Sequence, residues 1–201
     1  ANHNSRGNLS EHLLPGLEPI GVPKSLSNTV FPFKYNDFES LMNIINKNKI
    51  GVIKMEVVRN FNHQNNFLLK VRELANKKNI VLIFDECTSG FRETFGGIFK
   101  KFSVEPDLVM FGKTLGNGYA ITAVVGKESV MEYAQDTFIS STFWTERIGP
   151  TAALKTLEVM ENQKSWKCIS AAGKNIKTRW KELASKYALD IEVSGLDALA
   201  S

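Results

Sequence analysis

The alternation of short apolar runs with amphipathic stretches constrains the fold of this chain most strongly. Four apolar runs predict strands, at residues 50–55, 80–84, 107–111 and 120–126. Several of the stretches between and after them repeat apolar residues at three- and four-residue spacing, which is typical of helices. Strands that alternate with helices usually form a parallel sheet with helices on both faces. We therefore predict an α/β fold, a three-layer α/β/α arrangement with a mostly parallel sheet.

Two helices between the predicted strands have the clearest patterns. Residues 35–48 predict a helix with Asn36 as its N-cap and Glu39 three residues later, the spacing of a capping box. A second helix is predicted at 65–79, with apolar residues on one face. Three later helices are predicted at 127–135, 146–162 and about 166–187. The last residues, 189–201, predict a strand.

Composition and charge argue against several classes of protein. A hydrophobic fraction of 43% with 23% charged residues is ordinary for a soluble globular protein. No apolar run approaches the roughly 18 residues of a membrane span, and no secretory leader opens the chain. The net charge of +4 is spread among acidic neighbours, so we expect no nucleic-acid partner. Cys87, Cys168 and the three histidines lack metal-ligand spacing, and free thiols suit a cytoplasmic protein without a metal.

A carboxylate and an amine are predicted to face one crevice. Ligands of open α/β sheets bind outside the carboxyl ends of the strands, where Asp85 and Glu86 follow one strand and Lys113 another. A nucleotide-binding P-loop would need a glycine five residues before Gly112, and that residue is Asp107. The loop would also follow the acidic strand instead of preceding it. A structural ion pair and a lysine-bound pyridoxal phosphate (PLP) both remain open on these residues alone.

Three longer motifs distinguish these interpretations. They are VLIFDECTSGFR (81–92), PDLVMFGKTLGNGYAITAVVG (106–126) and SSTFWTERIGPTAALKTLEVM (140–160). In this order and spacing they resemble the class III aminotransferases of fold type I, especially the branch containing glutamate-1-semialdehyde aminomutase. The resemblance extends from about Gly21 to the C-terminus. It implies PLP as cofactor, small-molecule amino and keto substrates, and a homodimer.

The resemblance also assigns roles to residues. Asp85 matches the aspartate that bonds the pyridinium nitrogen, and Lys113 matches the lysine that forms a Schiff base and moves protons. Thr142 matches the threonine that reaches the cofactor phosphate of the neighbouring subunit. Cys87 takes the place of a small apolar residue packed on the cofactor ring, and we expect it to pack there rather than act as a nucleophile.

Weaker expectations concern residues around this pair. Glu56 stands where the family often has a Glu-Pro pair and is expected to face the cofactor pocket, although the valine that follows it here changes the local turn. Arg59 could bind a substrate carboxylate or phosphate, or could be a solvated surface residue. Arg92 matches a family position near the site, where it could touch the substrate, and we expect it rather to hold its loop. Gly116 and Gly118 are expected to permit a tight turn after Lys113.

The resemblance suggests a division of the chain into three parts. Residues 1–30, rich in Asn, Ser, Gly and Pro, predict an irregular segment that continues from a missing upstream part. Residues 31–160 predict a partial PLP-binding large domain, and residues 161–201 a linker helix with the start of a truncated small domain. The family's phosphate-binding and ring-stacking segments lie upstream. We therefore expect the 201-residue chain alone to bind the cofactor weakly or not at all, and the parent protein to be a competent enzyme.

The resemblance implies an amino-group transfer, and three functions remain open. The segment SSTFWTERIGP departs from the commoner form of the aminomutase, which favours transamination between an amino donor and a keto or aldehyde acceptor. A 2,1-aminomutase of the glutamate-1-semialdehyde type is the alternative within the family. A catalytically inactive binding protein is the alternative of another class, and the retention of Lys113 and Asp85 argues against it.

Overall fold

The structure, a computed structural model, describes Leu9 and residues 18–58, 63–64, 66–140, 142–143 and 145–201. The chain divides into two compact units, residues 1–50 and 51–201. The three-part division expected from the sequence stays a prediction. Within the described ranges, no helix is long and apolar enough to cross a bilayer.

The first unit contains helix α1 (Phe38–Lys47), which buries Leu41 and Ile45. The predicted helix is confirmed, but the predicted cap is wrong. Asp37 is the N-cap, and its Oδ1 accepts a hydrogen bond from the Ser40 N–H at 2.9 Å. Asn36 instead has φ +66°, one residue before the cap. Aspartate and asparagine are equally good N-caps, because the side-chain oxygen of either can accept a hydrogen bond from an unpaired N–H of the first helical turn.

The second unit is built on a four-stranded sheet. In spatial order its strands are β1 (Val52–Met55), β2 (Val81–Asp85), β3 (Leu108–Phe111) and β4 (Ala123–Gly126). The first three strands are parallel, and β4 is antiparallel to β3. The prediction of a mostly parallel sheet with helices is therefore confirmed. The antiparallel strand follows from the short glycine-rich turn after β3, because a parallel return needs a long crossover.

The described residues of this second unit contain four helices. They are α2 (Phe67–Lys78), α3 (Glu128–Met131), α4 (Ile148–Gln163) and α5 (Ser165–Lys186). The predicted helices are confirmed, although α3 is short and continues as a 3₁₀ turn over Glu132–Ala134. Lys164, with φ +51°, separates α4 from α5. The two long helices are thus distinct elements, as predicted.

Burial in α2 follows the apolar face that the sequence predicts. Its buried residues are Phe67, Leu68, Val71, Leu74 and Ala75. In β2, Leu82 and Phe84 are fully buried, whereas their neighbours are only half-buried. A second cluster links β3 to α4 through Val109, Phe111 and Ala153. The parallel ladder between β2 and β3 holds the two strands side by side, so their carboxyl ends meet at one edge.

The predicted C-terminal strand is wrong. Residues 189–194 form no strand, and Asp197–Leu199 is a 3₁₀ turn. The segment folds back on itself, since the Ser194 N–H donates to the Ser201 carbonyl at 2.8 Å. It also follows α5, whose Lys177 donates to the Gly195 carbonyl at 2.8 Å. These hydrogen bonds, and one from the Ala198 N–H to Glu93 Oε1 at 3.0 Å, fix the segment without strand pairing.

Candidate functional site

The carboxyl ends of β2 and β3 form the candidate site. Asp85 is the last residue of β2 and pairs in register with Met110 of β3. The ladder extends one residue further, because the Glu86 N–H donates to the Met110 carbonyl at 2.9 Å. Lys113 follows β3 after Gly112. The two strands thus bring the predicted carboxylate and the predicted amine to the same edge of the sheet.

Asp85 is held by two donors. Its Oδ1 accepts the Cys87 N–H at 3.1 Å, and its Oδ2 lies 3.0 Å from Nζ of Lys54 on β1. Partial burial acts to raise the pKa of Asp85, but the hydrogen bonds from Lys54 and Cys87 outweigh it and lower the pKa below its ordinary value. The carboxylate is therefore ionised at neutral pH. Its side chain is 23% exposed, so it remains accessible.

Lys113 is exposed and lies in a turn shaped by its neighbours. Its Nζ donates to Oγ1 of Thr88 at 2.6 Å. Its backbone has φ +43°, a left-handed conformation that is uncommon for lysine and often marks functional sites. Gly118, with φ +103°, and Gly116, where a Cβ would lie 2.2 Å from the Tyr119 carbonyl oxygen, confirm the expected tight turn.

Asp85 and Lys113, both of which the structure describes, do not form the ion pair that the sequence leaves open. Asp85 instead pairs with Lys54, and the Lys113 amine bonds to a neutral hydroxyl. The bond to Thr88 uses one of the three donors of the Lys113 amine, and the others are available to a ligand. The geometry therefore does not support a purely structural role for the Asp85 and Lys113 pair.

The Cys87 thiol lies within the electrostatic field of three charged residues. Burial raises its pKa, and the Asp85 carboxylate raises it further, while Lys113 and Lys54 act in the opposite direction. The thiol is therefore protonated at neutral pH, which does not suit a nucleophile. A Cβ added to Gly112 would lie 3.3 Å from Cys87 Sγ, so this glycine allows the thiol to pack against the lysine turn.

Glu86 fixes the loop that follows β2. It is fully buried, and its carboxylate accepts hydrogen bonds from the Ser89 hydroxyl at 2.7 Å and from the N–H groups of Ile98 at 2.9 Å and Phe99 at 3.0 Å. Burial raises the pKa of Glu86, partly offset by these three donors. Its role is structural, because its donors hold the 3₁₀ turn Ile98–Phe102 against the end of β2.

Arg92 holds the same loop from its other side. Its Nε donates to the Thr88 carbonyl at 2.7 Å. Thr88 is the residue whose hydroxyl accepts from Lys113, so Arg92 acts on the lysine through Thr88. This contact agrees with the expectation that Arg92 holds its loop.

The structure gives less information on three other predicted residues. Glu56 is half-buried and follows β1 directly, and Thr142 is exposed. Arg59 lies outside the described residues. Their assigned roles stay predictions. Within the described part of the chain, no group of three or more histidine, cysteine or acidic residues is arranged to hold a metal.

Comparison with known proteins identifies the family. The class III aminotransferase family matches residues 50–200, which include both strand ends and the Lys113 turn. The chain belongs to the class III aminotransferases.

Two curated relatives of this class III aminotransferase chain differ in their reactions. It is 37% identical over 185 residues to the 3-aminobutyryl-CoA aminotransferase of Cloacimonas acidaminovorans, covering 87% of this chain and 44% of that relative. It is 38% identical over 150 residues to the glutamate-1-semialdehyde 2,1-aminomutase of Sulfolobus acidocaldarius, covering 71% of this chain and 36% of the relative. The chain thus spans less than half the length of either relative.

Solved structures share the fold of this aminotransferase chain. The FumI protein of Sphingopyxis sp. MTA144, determined in a PLP form, superposes with a TM-score of 0.86 at 22% identity, over 97% of this chain and 49% of that one. An omega-transaminase from Sphaerobacter thermophilus gives a TM-score of 0.79 at 22% identity, over 88% and 43% of the two chains. The arrangement of strands and helices is therefore that of fold type I.

The sequence does not predict Lys54 or Thr88 as residues of this aminotransferase site. Lys54 is the one charged residue of β1, next to apolar Ile53 and Met55, and that isolated charge was the available signal. Its contact with Asp85 depends on strand register, which the sequence alone does not give. Thr88 has no distinguishing pattern, because its contact with Lys113 depends on how the loop folds.

Proposed function

We propose that the protein carrying this chain is a PLP-dependent aminotransferase that moves an amino group between a small-molecule amino donor and a keto or aldehyde acceptor. Lys113 binds the cofactor covalently through Nζ, and Asp85 bonds the pyridine nitrogen. One observation carries the proposal: an exposed lysine amine and an ionised aspartate lie at the same strand edge. Membership of the class III aminotransferases supports it.

The donor set at this edge fits PLP. A carboxylate has about four acceptor positions, and Asp85 uses one for the Cys87 N–H and one for Lys54. It can therefore accept a further hydrogen bond from a protonated ring nitrogen. When bound, PLP supplies an electron sink for the charge left when an amino substrate loses its α-proton. The negative charge of Asp85 keeps the ring nitrogen protonated, which this chemistry requires.

Lys113 is suited to hold and move a proton at Nζ. The amine is exposed, so it can reach a substrate, and the Thr88 hydroxyl at 2.6 Å orients it. The Arg92 contact with the Thr88 carbonyl fixes the position of that hydroxyl. Because the lysine sits in a left-handed turn bordered by glycines, its backbone position is narrowly defined. These contacts are those expected of a positioned general base and acid.

The test of this proposal is where the cofactor attaches. The full-length protein would be incubated with PLP, its visible absorption recorded, and the adduct reduced with borohydride and mapped by peptide mass spectrometry. We expect a visible band and a reduced adduct on Lys113, both absent in Lys113→Ala. Lys155→Ala, which removes an exposed lysine of α4, is the control and should keep both. An adduct on another lysine, or no band in any form, would refute the proposal.

A 2,1-aminomutase is the second candidate, because one relative at 38% identity is such an enzyme. An aminotransferase releases a keto product from its amino donor and leaves the cofactor in its amine form. A mutase retains the intermediate and releases an isomer. Chromatography of a single turnover therefore distinguishes the two activities. We expect a released keto acid, and a rearranged product alone would favour the mutase.

The assembly and location of the protein are also part of the proposal. A homodimer would allow Thr142 of one protomer to reach the cofactor phosphate in its partner, which its exposure permits. Light scattering of the full-length protein measures this directly, and a monomer at working concentration would contradict it. A cytoplasmic location agrees with two free cysteines, which fractionation of the source cells would check.

A further inference from the structure

Lys54 lies outside the three motifs that resemble the family, and it contacts Asp85. In the ladder between β1 and β2, Lys54 pairs with Ile83, and side chains two residues apart in a strand share a face. Lys54 and Asp85 therefore lie diagonally on one face of the sheet. Their charged atoms, Nζ and Oδ2, are 3.0 Å apart.

An exposed lysine on an outer strand has a common structural explanation. β1 is an outer strand of the described sheet, and lysine on such strands hinders pairing with other chains. That role needs only a charge that projects into solvent. The Lys54 ammonium, although its side chain is 52% exposed, instead contacts the carboxylate that is the proposed partner of the cofactor ring. The contact therefore has an electrostatic consequence at Asp85.

We propose that Lys54 is a positioning residue that orients the Asp85 carboxylate. Lys54 lowers the affinity of this carboxylate for a proton, and it also lowers the proton affinity of any nitrogen base that is bonded to Asp85. A cation next to a carboxylate stabilises the ionised form and opposes a second positive charge at the same place. Lys54 thus limits how strongly the Asp85 and ring-nitrogen pair holds its shared proton. The identity of the base as PLP rests on the proposed function.

The other charged and titratable groups near Asp85 lie on the loop after β2 and on the turn after β3. Glu86 follows it in the chain and faces away into the buried loop, where three donors hold it. Cys87 follows on the same loop, and its protonated thiol is hydrogen-bonded to the Asp85 carboxylate, while the charge of Lys113 acts on the thiol from the turn after β3. Among these described groups, Lys54 is the cation whose side chain contacts the Asp85 carboxylate directly.

The first experiment measures the titration of Asp85 without cofactor. Full-length protein carrying ¹³C-labelled aspartate would be titrated by NMR, with the Asp85 signal assigned from Asp85→Asn. We expect the Asp85 midpoint to move to higher pH in Lys54→Met and to return towards the wild-type value in Lys54→Arg. An unchanged midpoint in a folded Lys54→Met protein would overturn the proposal.

Lys127 offers a matched control. Its side chain is 49% exposed and pairs with Asp107 at 2.7 Å, at the other end of the sheet. Lys127→Met removes a comparable ion pair, so a general loss of stability would appear in both variants. We expect it to leave the Asp85 midpoint in place. A shift equal to that of Lys54→Met would show that the change is not specific to Lys54.

The second experiment measures the ring nitrogen itself. PLP labelled with ¹⁵N in the ring would be bound to each variant and titrated by NMR. We expect the ring nitrogen to lose its proton at higher pH in Lys54→Met than in the wild type or Lys54→Arg. Identical titrations would overturn the proposal even where the cofactor is attached to Lys113. If neither the wild type nor any variant binds PLP, the proposed function and the cofactor part of this inference are refuted. The cofactor-free titration would still decide the effect of Lys54 on Asp85.

Discussion

Two aspartates at opposite ends of the same sheet show how this fold separates a structural carboxylate from an accessible one. Asp107 precedes β3 at its amino end, and its three donors engage both oxygens. Oδ2 accepts the Leu82 N–H at 2.8 Å and Arg72 at 2.9 Å, and Oδ1 accepts Lys127 at 2.7 Å. Asp85 ends β2 at the carboxyl edge with two donors and more exposure.

The difference follows from where each aspartate lies on the sheet. Asp107 joins β2 to β3 and connects α2 through Arg72, so its carboxylate links several elements. At the carboxyl edge the strands open onto loops, and ligands of such sheets bind there. Both aspartates have a lowered pKa, because hydrogen bonds and cations outweigh burial in each. A lowered pKa alone therefore does not distinguish a site residue from a structural one, whereas its place on the sheet and its exposure do.

The largest expected effect is that of Lys113→Ala on activity. Loss of the amine removes cofactor attachment and the proton-transfer group, so we expect kcat/KM of the full-length protein to fall by at least about 10³-fold. Stability should change little, since the described side-chain hydrogen bond of Lys113 is an exposed one to Thr88. Steady-state kinetics and urea unfolding of the same preparation measure both. Lys155→Ala is the control, and an active Lys113→Ala enzyme would contradict the assignment.

The next effect is that of Asp107→Asn on stability. The substitution leaves the mostly buried Arg72 and the half-exposed Lys127 without their carboxylate partner, so we expect a loss of about 3 kcal/mol in the free energy of unfolding, chiefly from Arg72. Asp85→Asn should lose no more than about 1 kcal/mol, because its ion pair with Lys54 is partly solvated. Urea unfolding measures both values. Equal losses would remove the distinction between the two ends of the sheet.

The pH dependence of stability tests the structural role of Asp107. Hydrogen bonds from the Leu82 N–H, Lys127 and Arg72 overcome the effect of burial and hold the pKa of Asp107 below its ordinary 3.8. A lowered pKa in the folded state stabilises the protein above the unfolded pKa, and this stabilisation disappears as pH falls through the folded value. We expect wild-type protein to lose stability more steeply than Asp107→Asn below about pH 4. Thermal melts between neutral and acidic pH provide the test, and parallel profiles would count against it.

The smallest effect concerns the loop that supports Lys113. Arg92→Gln removes the Nε hydrogen bond to the Thr88 carbonyl, and we expect it to cost about 1 kcal/mol of stability. It should also weaken cofactor binding several-fold, because Thr88 orients the lysine. Arg92→Lys retains the charge but not the geometry of the guanidinium, so it should behave like Arg92→Gln. Full activity and affinity in both variants would show that the loop does not depend on Arg92.

Much of the fold could be predicted because apolar runs and helical spacing are strong local signals. Strands β1 to β3 are examples, since they lie close to the predicted ranges, and so is the buried face of α2, whose burial agrees with the residue pattern. The predicted N-cap was wrong by one residue, because Asn36 and Asp37 both suit that position. The C-terminal strand was wrong because its β-branched residues carry strand propensity, while the contacts with Lys177 that decide its path are nonlocal.

The candidate site was predictable where topology alone decides it. Asp85 and Lys113 follow strands, and parallel strands end at the same edge, so their proximity needs no side-chain detail. Lys54 and Thr88 could not be found in this way, because strand register and loop conformation determine which atoms they reach. Glu86 adjoins Asp85 in sequence, yet its full burial depends on the return of residues 97–99.

The most direct test of the account compares PLP affinity in Asp85→Asn and Asp107→Asn of the full-length protein. The dissociation constant would be measured by absorption titration under conditions where both variants are folded. We expect Asp85→Asn to weaken binding at least about tenfold, because a charge-assisted hydrogen bond is lost. Asp107→Asn should remain within about twofold of the wild type, since its carboxylate lies at the opposite end of the sheet. Equal affinities for all three proteins, or a larger loss in Asp107→Asn, would contradict the assignment of the carboxyl edge as the cofactor site.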